Sequence, residues 1–377
     1  MPDYETLRLI WWAVLGVLLI GIAVMDGFDL GAAILLPFLG RTDIERRVVI
    51  NTVGPVWEGN QVWLILGAGA IFAAWPPLYA VAFSGFYFAM LLLLCALILR
   101  PVGFKYRSKL TSPRWRSVWD WALFIGGFVP ALVFGVAFGN VLQGVPFRFD
   151  DAMRLSYTGT LWALFNPFAL LAGLVSLAMV VLHGAIWLAG KTDAAVQARA
   201  RVVVPWAGGA VILLFAAGGL WASALDGYVL ASFAGPAAAS NPLAKTVVRA
   251  PGALLGNYTA HGWMLAAPML TFLATPIAMA LSAIRRPHAG LVASGLAIAG
   301  VIATAGVSLF PFLLPSSLDP NASLTVWDAS SSRMTLWVMT LVTAVMLPVV
   351  LAYTTWIYRV LRGKVTAASV GADPHSY

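Results

Sequence analysis

The chain has 377 residues, of which 61% are hydrophobic and 10% are charged, with a formal net charge of +8 and a single cysteine, Cys95. A soluble domain is about 25% charged, so the composition excludes an ordinary water-soluble protein and predicts an integral membrane protein. One cysteine excludes an intrachain disulfide framework and a cysteine-based metal site. Because the basic residues cluster between apolar segments, we attribute the positive charge to membrane topology rather than to nucleic-acid binding.

Nine apolar segments are long enough to cross a bilayer as helices, which takes roughly 20 residues each. The alternation of a transmembrane barrel is absent from the sequence, so we predict an all-α, polytopic protein with one integral membrane domain over residues 1–377. The first and fifth segments exceed one span and must tilt or project into water. The predicted helices lie near 8–39, 53–74, 78–99, 119–142, 161–190, 203–224, 262–284, 289–313 and 335–360.

Lys and Arg residues in the loops predict the orientation, because cytoplasmic loops are enriched in them. The loop 100–118, RPVGFKYRSKLTSPRWRSV, carries six of these residues. Counting alternate loops places 17 Lys and Arg residues on one side of the membrane and six on the other. We therefore expect the N-terminus outside and the C-terminus in the cytoplasm. The start MPDYETLRLI lacks the basic region of a signal peptide, so we expect the first helix to remain in the mature protein.

Three carboxylates interrupt the first two apolar segments. Asp26 and Asp29 are three residues apart, so they share one helix face about 4.5 Å apart along the axis. Glu58 lies one or two turns inside the second helix, and Gln61 follows on the same face. We expect all three acids at a similar depth, near the cytoplasmic side. Inserting an acid at mid-helix costs roughly 2.5–3.5 kcal/mol, so the sequence predicts a proton path along these acids and Gln61.

The same polar groups have a structural interpretation. The acids can cap helix ends or pair with Arg41, Arg46 or Arg47, which follow the first helix. Gln61 and its neighbour Asn60 can make hydrogen bonds between helices without any further role. The sequence alone leaves both interpretations open.

The four histidines do not suggest a pair of haem ligands. His183 is expected near the inner end of the fifth helix and His261 at the outer start of the seventh, whereas a bis-His haem needs two ligands at one depth. His288 falls in a short cytoplasmic loop, and His375 lies near the end of the chain. Zinc spacings, phosphate-binding loops and nucleophile triads are also absent from the sequence. We therefore predict no catalytic residue, metal site or cofactor site in this chain.

Two tryptophans flank the polar face of the second predicted helix. Trp63 can line an apolar path for a gas or pack in a protein interface, and Trp57 precedes Glu58 directly. Core packing is the alternative for both indole rings. The sequence therefore marks them as candidates for an oxygen path or an interface.

Four segments carry a resemblance to a known family. DGFDLGAA, GPVWEGNQVWLI, YFAMLLLLCALILRPVGFKYRSK and LTVWDASSS occur in this order. Together they resemble subunit II of the cytochrome bd family of quinol oxidases, including its cyanide-insensitive branch. The resemblance extends over nearly the whole chain. Within LTVWDASSS, Trp327 and Asp328 have no indicated role beyond packing and capping.

The resemblance implies a complex in the bacterial cytoplasmic membrane that oxidises quinol, such as ubiquinol, and reduces O2 to water. It generates a proton-motive force by taking protons from the cytoplasm, without pumping. Subunit I carries all haems, two of b type and one of d type or a third of b type. Subunit II has two four-helix bundles and one peripheral helix, and it pairs with subunit I as a pseudo-symmetric heterodimer, often with a small single-helix subunit. A haem-free bundle of this kind leaves apolar volume in which a structural quinone can bind.

The resemblance also implies roles for single residues. Glu58 matches the acid that precedes the GNQVW pattern. In relatives, this acid is associated with a proton path towards the haems. Asp26 and Asp29 match the two acids of the DGFDLG motif. Trp63 matches a position that borders a lateral oxygen path in relatives.

Two other hypotheses compete with the oxidase subunit. A proton-coupled secondary transporter also uses intramembrane acids, but it needs a substrate site at the midplane, often on discontinuous helices. A structural scaffold would use the acids for assembly only. The acids cluster off-centre in the first two helices, which counts against a transporter, and substitution of Glu58 distinguishes a scaffold from a proton path.

Overall fold

The computed structural model describes residues 1–372 and 377, and His375 lies outside them. Helices dominate, as predicted. In chain order they are α1 (Tyr4–Met25), α2 (Gly27–Leu39), α3 (Asp43–Val53), α4 (Trp57–Ala74), α5 (Pro76–Gly85), α6 (Tyr87–Tyr106), α7 (Pro113–Gln143), α8 (Pro167–Lys191), α9 (Ala194–Ser223), α10 (Gly256–Ala260), α11 (Ala266–Ala283), α12 (Pro287–Leu309), α13 (Arg333–Val360) and α14 (Ala367–Ala372).

Three antiparallel hairpins occupy the connections at one end of the long helices, which we call the hairpin end. They pair β1 with β2, β3 with β4, and β5 with β6. Two of these hairpins contact each other, since the aromatic ring of Tyr228 in β3 packs on that of Phe312 in β5. The strands are β1 (Phe147–Phe149), β2 (Leu155–Tyr157), β3 (Asp226–Phe233), β4 (Lys245–Pro251), β5 (Phe312–Leu314) and β6 (Leu324–Thr325).

The long helices form two groups of four with one helix outside them. In the first group, α1 packs on α4 and α6 packs on α7, while α2 continues α1 and packs on α7. In the second group, α8 contacts α9 and α12, and α11 contacts α9 and α12. The groups meet where α2 and α7 both contact α8. Helix α13 lies along α1 and α4 and leaves most of its surface exposed, so it is the peripheral helix.

Within the described residues, eight helices are long and apolar enough to span a membrane. The predicted segment 53–74 appears as α4, an 18-residue helix that starts with the polar run WEGNQ, so the count of nine spans stays a prediction. The predicted segment 8–39 is a single candidate span of 36 residues, but it is broken into α1 and α2 at Asp26. The predicted segment 78–99 is likewise divided between α5 and α6 at Phe86.

Two glycines set the close approach of α2 and α8. A Cβ at Gly31 would lie 2.8 Å from the Cα of Gly184 and closer still to the Val180 carbonyl oxygen. Small residues at such crossings let helix backbones come together, and the resulting van der Waals contact replaces the hydrophobic driving force that lipid cannot supply. The contact therefore fixes the depth of α8 relative to the break at Asp26.

At the hairpin end, a buried ion pair fastens β4 to the turn after β6. Lys245 Nζ lies 3.1 Å from Asp328 Oδ2, and Asp328 also accepts hydrogen bonds from the backbone N–H and hydroxyl of Thr325 at 3.0 and 2.6 Å. Burial raises the pKa of Asp328 and lowers the pKa of Lys245, because removal from water disfavours both charged forms. Asp328 therefore combines capping with an ion pair that the sequence did not indicate.

The opposite end of the helices, which we call the arginine-rich end, holds α3 and the connection before α7. Asp120 accepts hydrogen bonds from Arg107 at 2.5 Å and from Arg46 at 2.6 Å. Arg107 also lies 3.1 Å from Asp43 in the first turn of α3. Arg46 therefore pairs with Asp120. The interpretation of the sequence that pairs Arg46 with the acids of the membrane helices is wrong for this residue.

We expect Gly31→Ala to lower the thermal unfolding midpoint of the purified complex, because overpacking a tight contact costs about 1–3 kcal/mol. Gly16→Ala is the matched control in the same apolar segment, since a Cβ there meets no heavy atom within 4 Å. The control should unfold at or slightly above the native midpoint, because Ala favours a helix over Gly by up to about 1 kcal/mol. Equal midpoints for the two variants would contradict this packing.

Candidate functional site: a buried carboxylate cluster

The break between α1 and α2 places two carboxylates inside the protein. Asp26 is 2% exposed and Asp29 is 0% exposed. Asp26 takes the N-cap position of α2, but its side chain makes no capping hydrogen bond. At 1.5 Å per residue, Asp26 lies about 33 Å along the helix from Tyr4, towards the arginine-rich end. The capping interpretation therefore does not explain this acid.

Asp26 pairs with an arginine from the second half of α6. Arg100 Nη1 and Nη2 donate to the two carboxylate oxygens of Asp26 at 2.8 and 2.9 Å, and Arg100 is fully buried. The guanidinium can lie there because Gly126 of α7 has no side chain: a Cβ at Gly126 would be 2.9 Å from Arg100 Cγ. A two-pronged contact of this kind gives the geometry that a buried ion pair needs to offset its desolvation.

Asp29 takes part in a second series of hydrogen bonds. Asn60 Nδ2 donates to Asp29 Oδ2 at 2.8 Å, and the Tyr358 hydroxyl donates to Asn60 Oδ1 at 2.7 Å. Rings pack around this line, because Phe28 stacks on Trp187 with centroids 4.1 Å apart. Within the part of the chain that the structure describes, Asp29 Oδ1 is buried without a hydrogen-bond partner. That oxygen is available to a water molecule or a proton.

Glu58 does not join the two aspartates within this chain. Its side chain is 69% exposed, and the carboxylate lies 3.6 Å from Lys105 Nζ. Val62 and Ile65 on the same side of α4 are 43% and 70% exposed, so Glu58 heads an apolar face that this chain leaves uncovered. Gln61 is half-buried. Asn60, which points inward, is the residue of this turn that reaches the aspartates.

Trp57 and Trp63 are both 6% exposed and pack inside the chain. A Cβ at Gly21 of α1 would lie 2.6 Å from Trp63 Cζ3 and closer still to Cε3, so this ring fills the gap between α1 and α4. Trp57 contacts Phe104 of α6, with ring centroids 5.9 Å apart. The geometry supports core packing for both rings, and an oxygen path beside Trp63 stays a prediction from the resemblance.

His183 has partners on both ring nitrogens. Nδ1 lies 2.7 Å from the Ser294 hydroxyl of α12, and Nε2 lies 3.1 Å from the carbonyl oxygen of Val24. Over residues 1–372 and 377, His, Cys, Asp and Glu side chains form no group of three or more that could hold a metal ion. His183 therefore joins α8 to α1 and α12 through hydrogen bonds.

Sequence reasoning missed three members of the cluster: Arg100, Tyr358 and His183. The sequence places Arg100 in the loop 100–118, but α6 continues to Tyr106, so the arginine lies within this helix and is buried. The signal was a lone arginine after the long apolar run YFAMLLLLCALIL, opposite two acids that needed a counter-charge. Tyr358 and His183 had no such signal, because their partners come from distant helices.

Known proteins match this chain over most of its length. A family model for cytochrome bd terminal oxidase subunit II matches residues 7–361. Cytochrome bd-I ubiquinol oxidase subunit 2 of Escherichia coli (strain K12) is 50% identical over 377 residues, which covers 100% of both chains. Cytochrome bd ubiquinol oxidase subunit 2 of Bacillus subtilis (strain 168) is 33% identical over 363 residues, or 95% of this chain and 96% of that chain.

A solved structure shares the fold. The bd oxidase from Geobacillus thermodenitrificans contains a chain that superposes with a TM-score of 0.66 at 18% identity, over 94% of this chain and 99% of that chain. The family model and the relatives extend over almost the entire length, which excludes the transporter alternative. The chain therefore belongs to the cytochrome bd terminal oxidase subunit II family, whose members are subunits of a membrane-bound respiratory oxidoreductase.

Proposed function

We propose that this chain supplies protons to O2 reduction in a bd-type quinol oxidase, through the carboxylates near its arginine-rich end. The observation that carries the proposal is the line from Tyr358 through Asn60 to Asp29. Tyr358 is half-buried near the end of α13, whereas Asp29 is fully buried and keeps one oxygen unpaired in the described part of the chain. Hydrogen bonds thus join the half-buried Tyr358 to a carboxylate that can take up and release a proton, and the Asn60 amide orients this carboxylate without itself carrying the proton.

We place the arginine-rich end in the cytoplasm, with the N-terminus outside and the C-terminus inside. Support comes from the distribution of positive charge, since cytoplasmic loops carry the excess of Lys and Arg. Although Arg100 lies inside α6 rather than in a loop, the excess at this end persists without it. This orientation lets the acids draw protons from the cytoplasm, as charge separation across the membrane requires.

We assign the uncovered face of α4 and α6 to contact with the haem-bearing subunit I. Apolar side chains on this face are strongly exposed, including Ile65 at 70%, Phe88 at 61% and Ile98 at 61%. Lipid could cover such residues, but it would not favour the exposed carboxylate of Glu58 beside them, because an acid facing lipid is costly. A protein partner satisfies both the apolar residues and the acid.

In this arrangement, Glu58 and Asn60 give the first turn of α4 two polar sides. Asn60 faces the buried aspartates, whereas Glu58 faces the proposed boundary with subunit I. We assign Glu58 the delivery of protons at that boundary and Asp29 their storage inside this chain. The ion pair with Arg100 makes Asp26 the fixed neighbour that holds the cluster together.

We expect Glu58→Gln to assemble with normal haem content and to lose quinol oxidase turnover by at least about tenfold, because an amide cannot relay a proton. Asp29→Asn should behave similarly, with a smaller loss. Both variants are measured as purified complexes by haem spectra and by oxygen consumption with quinol.

Asp151→Asn is the control, since Asp151 is exposed at the hairpin end and should leave turnover unchanged. Native turnover in both Glu58→Gln and Asp29→Asn would favour the scaffold hypothesis, in which the acids serve assembly only.

We further propose that the haems of the complex, two of b type with one of d type or a third of b type, belong to subunit I. The engaged ring nitrogens of His183 support this assignment. The small single-helix subunit remains a prediction from the resemblance.

A cavity of about 740 Å³ lies between the two helix groups, and we propose an isoprenoid quinone as its structural occupant. Its walls are mainly apolar, which suits an isoprenoid tail. Tyr258 and Ser308 line it towards the hairpin end, where their hydroxyl groups lie 3.0 Å apart. These hydroxyls suit the polar head of the quinone. Other lining residues include Leu19, Ile22, Phe134, Phe138, Phe168, Phe215, Gly219 and Phe272.

We expect Gly219→Leu to reduce the quinone that co-purifies with the complex, because Gly219 lines the cavity and a Cβ there meets no heavy atom within 4 Å. The added side chain therefore takes up cavity volume. Gly209→Leu is the matched control on the same helix, since Gly209 has equally open surroundings but does not line the cavity. Extraction and chromatography give the quinone content per haem. Equal quinone content in the two variants, or none in the native complex, would contradict this occupant.

A further inference from the structure

Lys191, at the end of α8, joins three parts of the arginine-rich end. Its Nζ donates to the Leu361 carbonyl at 2.6 Å, and its own carbonyl accepts from the Val365 N–H at 2.7 Å. Lys191 also lines a small pocket with Pro287 and His288, which begin α12. The end of α8, the start of α12 and the segment after α13 therefore meet around one lysine.

These parts carry an excess of positive charge. Arg286 directly precedes α12, and Arg362 and Lys364 follow α13. All three side chains are exposed. Over residues 1–372 and 377, the ion pairs involve none of these three cations and not Lys191 either. Within these residues the positive charge is therefore uncompensated.

The start of α12 adds hydrogen-bond donors. Arg286 takes the N-cap position, but its side chain makes no capping hydrogen bond, and the first turn contains no acid. The first N–H groups of a helix have no acceptor within it, and they carry a partial positive charge. The start of this 23-residue helix therefore favours an anion.

A buried tryptophan shows where an acceptor is missing. Trp187 lines the same pocket as Lys191 and His288. It is 6% exposed, and its Nε1 is buried without a hydrogen-bond partner in the part of the chain that the structure describes. The pocket has a volume of about 10 Å³, which is room for one oxygen atom or one water molecule. A larger anion can therefore lie only at the mouth of the pocket and place a single oxygen in it.

Apolar side chains beside these cations indicate the depth of the cluster in the membrane. Ile284, Val292 and Trp356 are 62%, 66% and 61% exposed. They lie directly after α11, in the second turn of α12 and near the end of α13. Exposed apolar residues at the ends of spanning helices meet acyl chains, and basic residues just beyond them meet lipid headgroups. A phosphate joined to acyl chains therefore fits this place better than a phosphate free in solution.

We propose that this cluster binds the phosphate of an anionic phospholipid such as phosphatidylglycerol. The site, here called the basic pocket, comprises Lys191, Arg286, Arg362, Lys364 and the start of α12. One phosphate oxygen accepts from Trp187 Nε1, and the cations neutralise the headgroup. The bound lipid fastens the end of α13 to α8 and α12. This site does not depend on the proton uptake proposed above.

Retention of lipid by the purified complex tests the basic pocket. The complex is placed in nanodiscs of phosphatidylglycerol and phosphatidylcholine, and native mass spectrometry counts the lipids that stay bound. Arg286→Gln, Arg362→Gln and Lys364→Gln together should leave about one phosphatidylglycerol fewer per complex, because these cations hold its phosphate. Trp187→Phe keeps the ring but removes the indole N–H, so it should lose part of this occupancy. Phosphatidylcholine retention should stay the same in all variants.

The matched control replaces Arg41, Lys109 and Arg114 with Gln. It removes the same charge from exposed side chains at the same end and should retain lipid as the native complex does. Haem content reports assembly of every variant. In a second arm, phosphatidylglycerol should raise the thermal unfolding midpoint of the delipidated native complex, whereas inorganic phosphate should not. Equal loss of lipid in the two triple variants, native retention in the basic-pocket variant or in Trp187→Phe, or stabilisation by inorganic phosphate alone would each overturn the proposal.

Discussion

The buried ion pair between Asp26 and Arg100 is the contact on which the rest of this site depends. Removing one partner of a buried pair typically costs about 3–5 kcal/mol, because the other charge is left uncompensated. The pair is sustained by a break in the first apolar segment, which presents Asp26, and by Gly126, which leaves room for the guanidinium. It also ties α6 to the junction of α1 and α2. Asp29 then lies beside a neutralised neighbour rather than a bare negative charge.

Glycine contacts and polar contacts have different roles in the packing of the helices. The close crossing at Gly31 and Gly184 sets how α8 lies against α2, and hydrogen bonds from His183 and Asn60 then fix the side chains around the acids. In lipid, apolar side chains gain little by meeting each other, so close backbone packing and buried hydrogen bonds carry specificity. The same logic explains why the two acids, costly in a membrane, face protein on all described sides.

The membrane-spanning helices and their approximate positions could be predicted from the sequence, because each span is a long apolar run. The break at Asp26 could not, since no proline lies in VMDGFD to mark where the helix is interrupted. Asp26 and Asp29 were recognised from their cost in a membrane. Their partners were not, because Arg100 was assigned to a loop by its position after an apolar run, and Tyr358 comes from a helix more than 300 residues later.

The placement of Glu58 shows a second limit of sequence reasoning. Helical spacing put Glu58 and Gln61 on one face, but it could not tell whether that face points inward or outward. The structure turns Asn60 inward and Glu58 outward. The direction of that face is set by how α4 packs on α1, and spacing within α4 carries no information about this packing.

Proton uptake during a single turnover tests the central claim most directly. The complex is reconstituted in vesicles, fully reduced and exposed to an oxygen pulse, and a pH-sensitive dye reports protons taken from the side of the arginine-rich end. If protons pass through these carboxylates, Asp29→Asn slows this uptake, though by less than Glu58→Gln does, while reduction of the haems by quinol proceeds at the native rate. Uptake at the native rate in Asp29→Asn would contradict a proton route through these carboxylates.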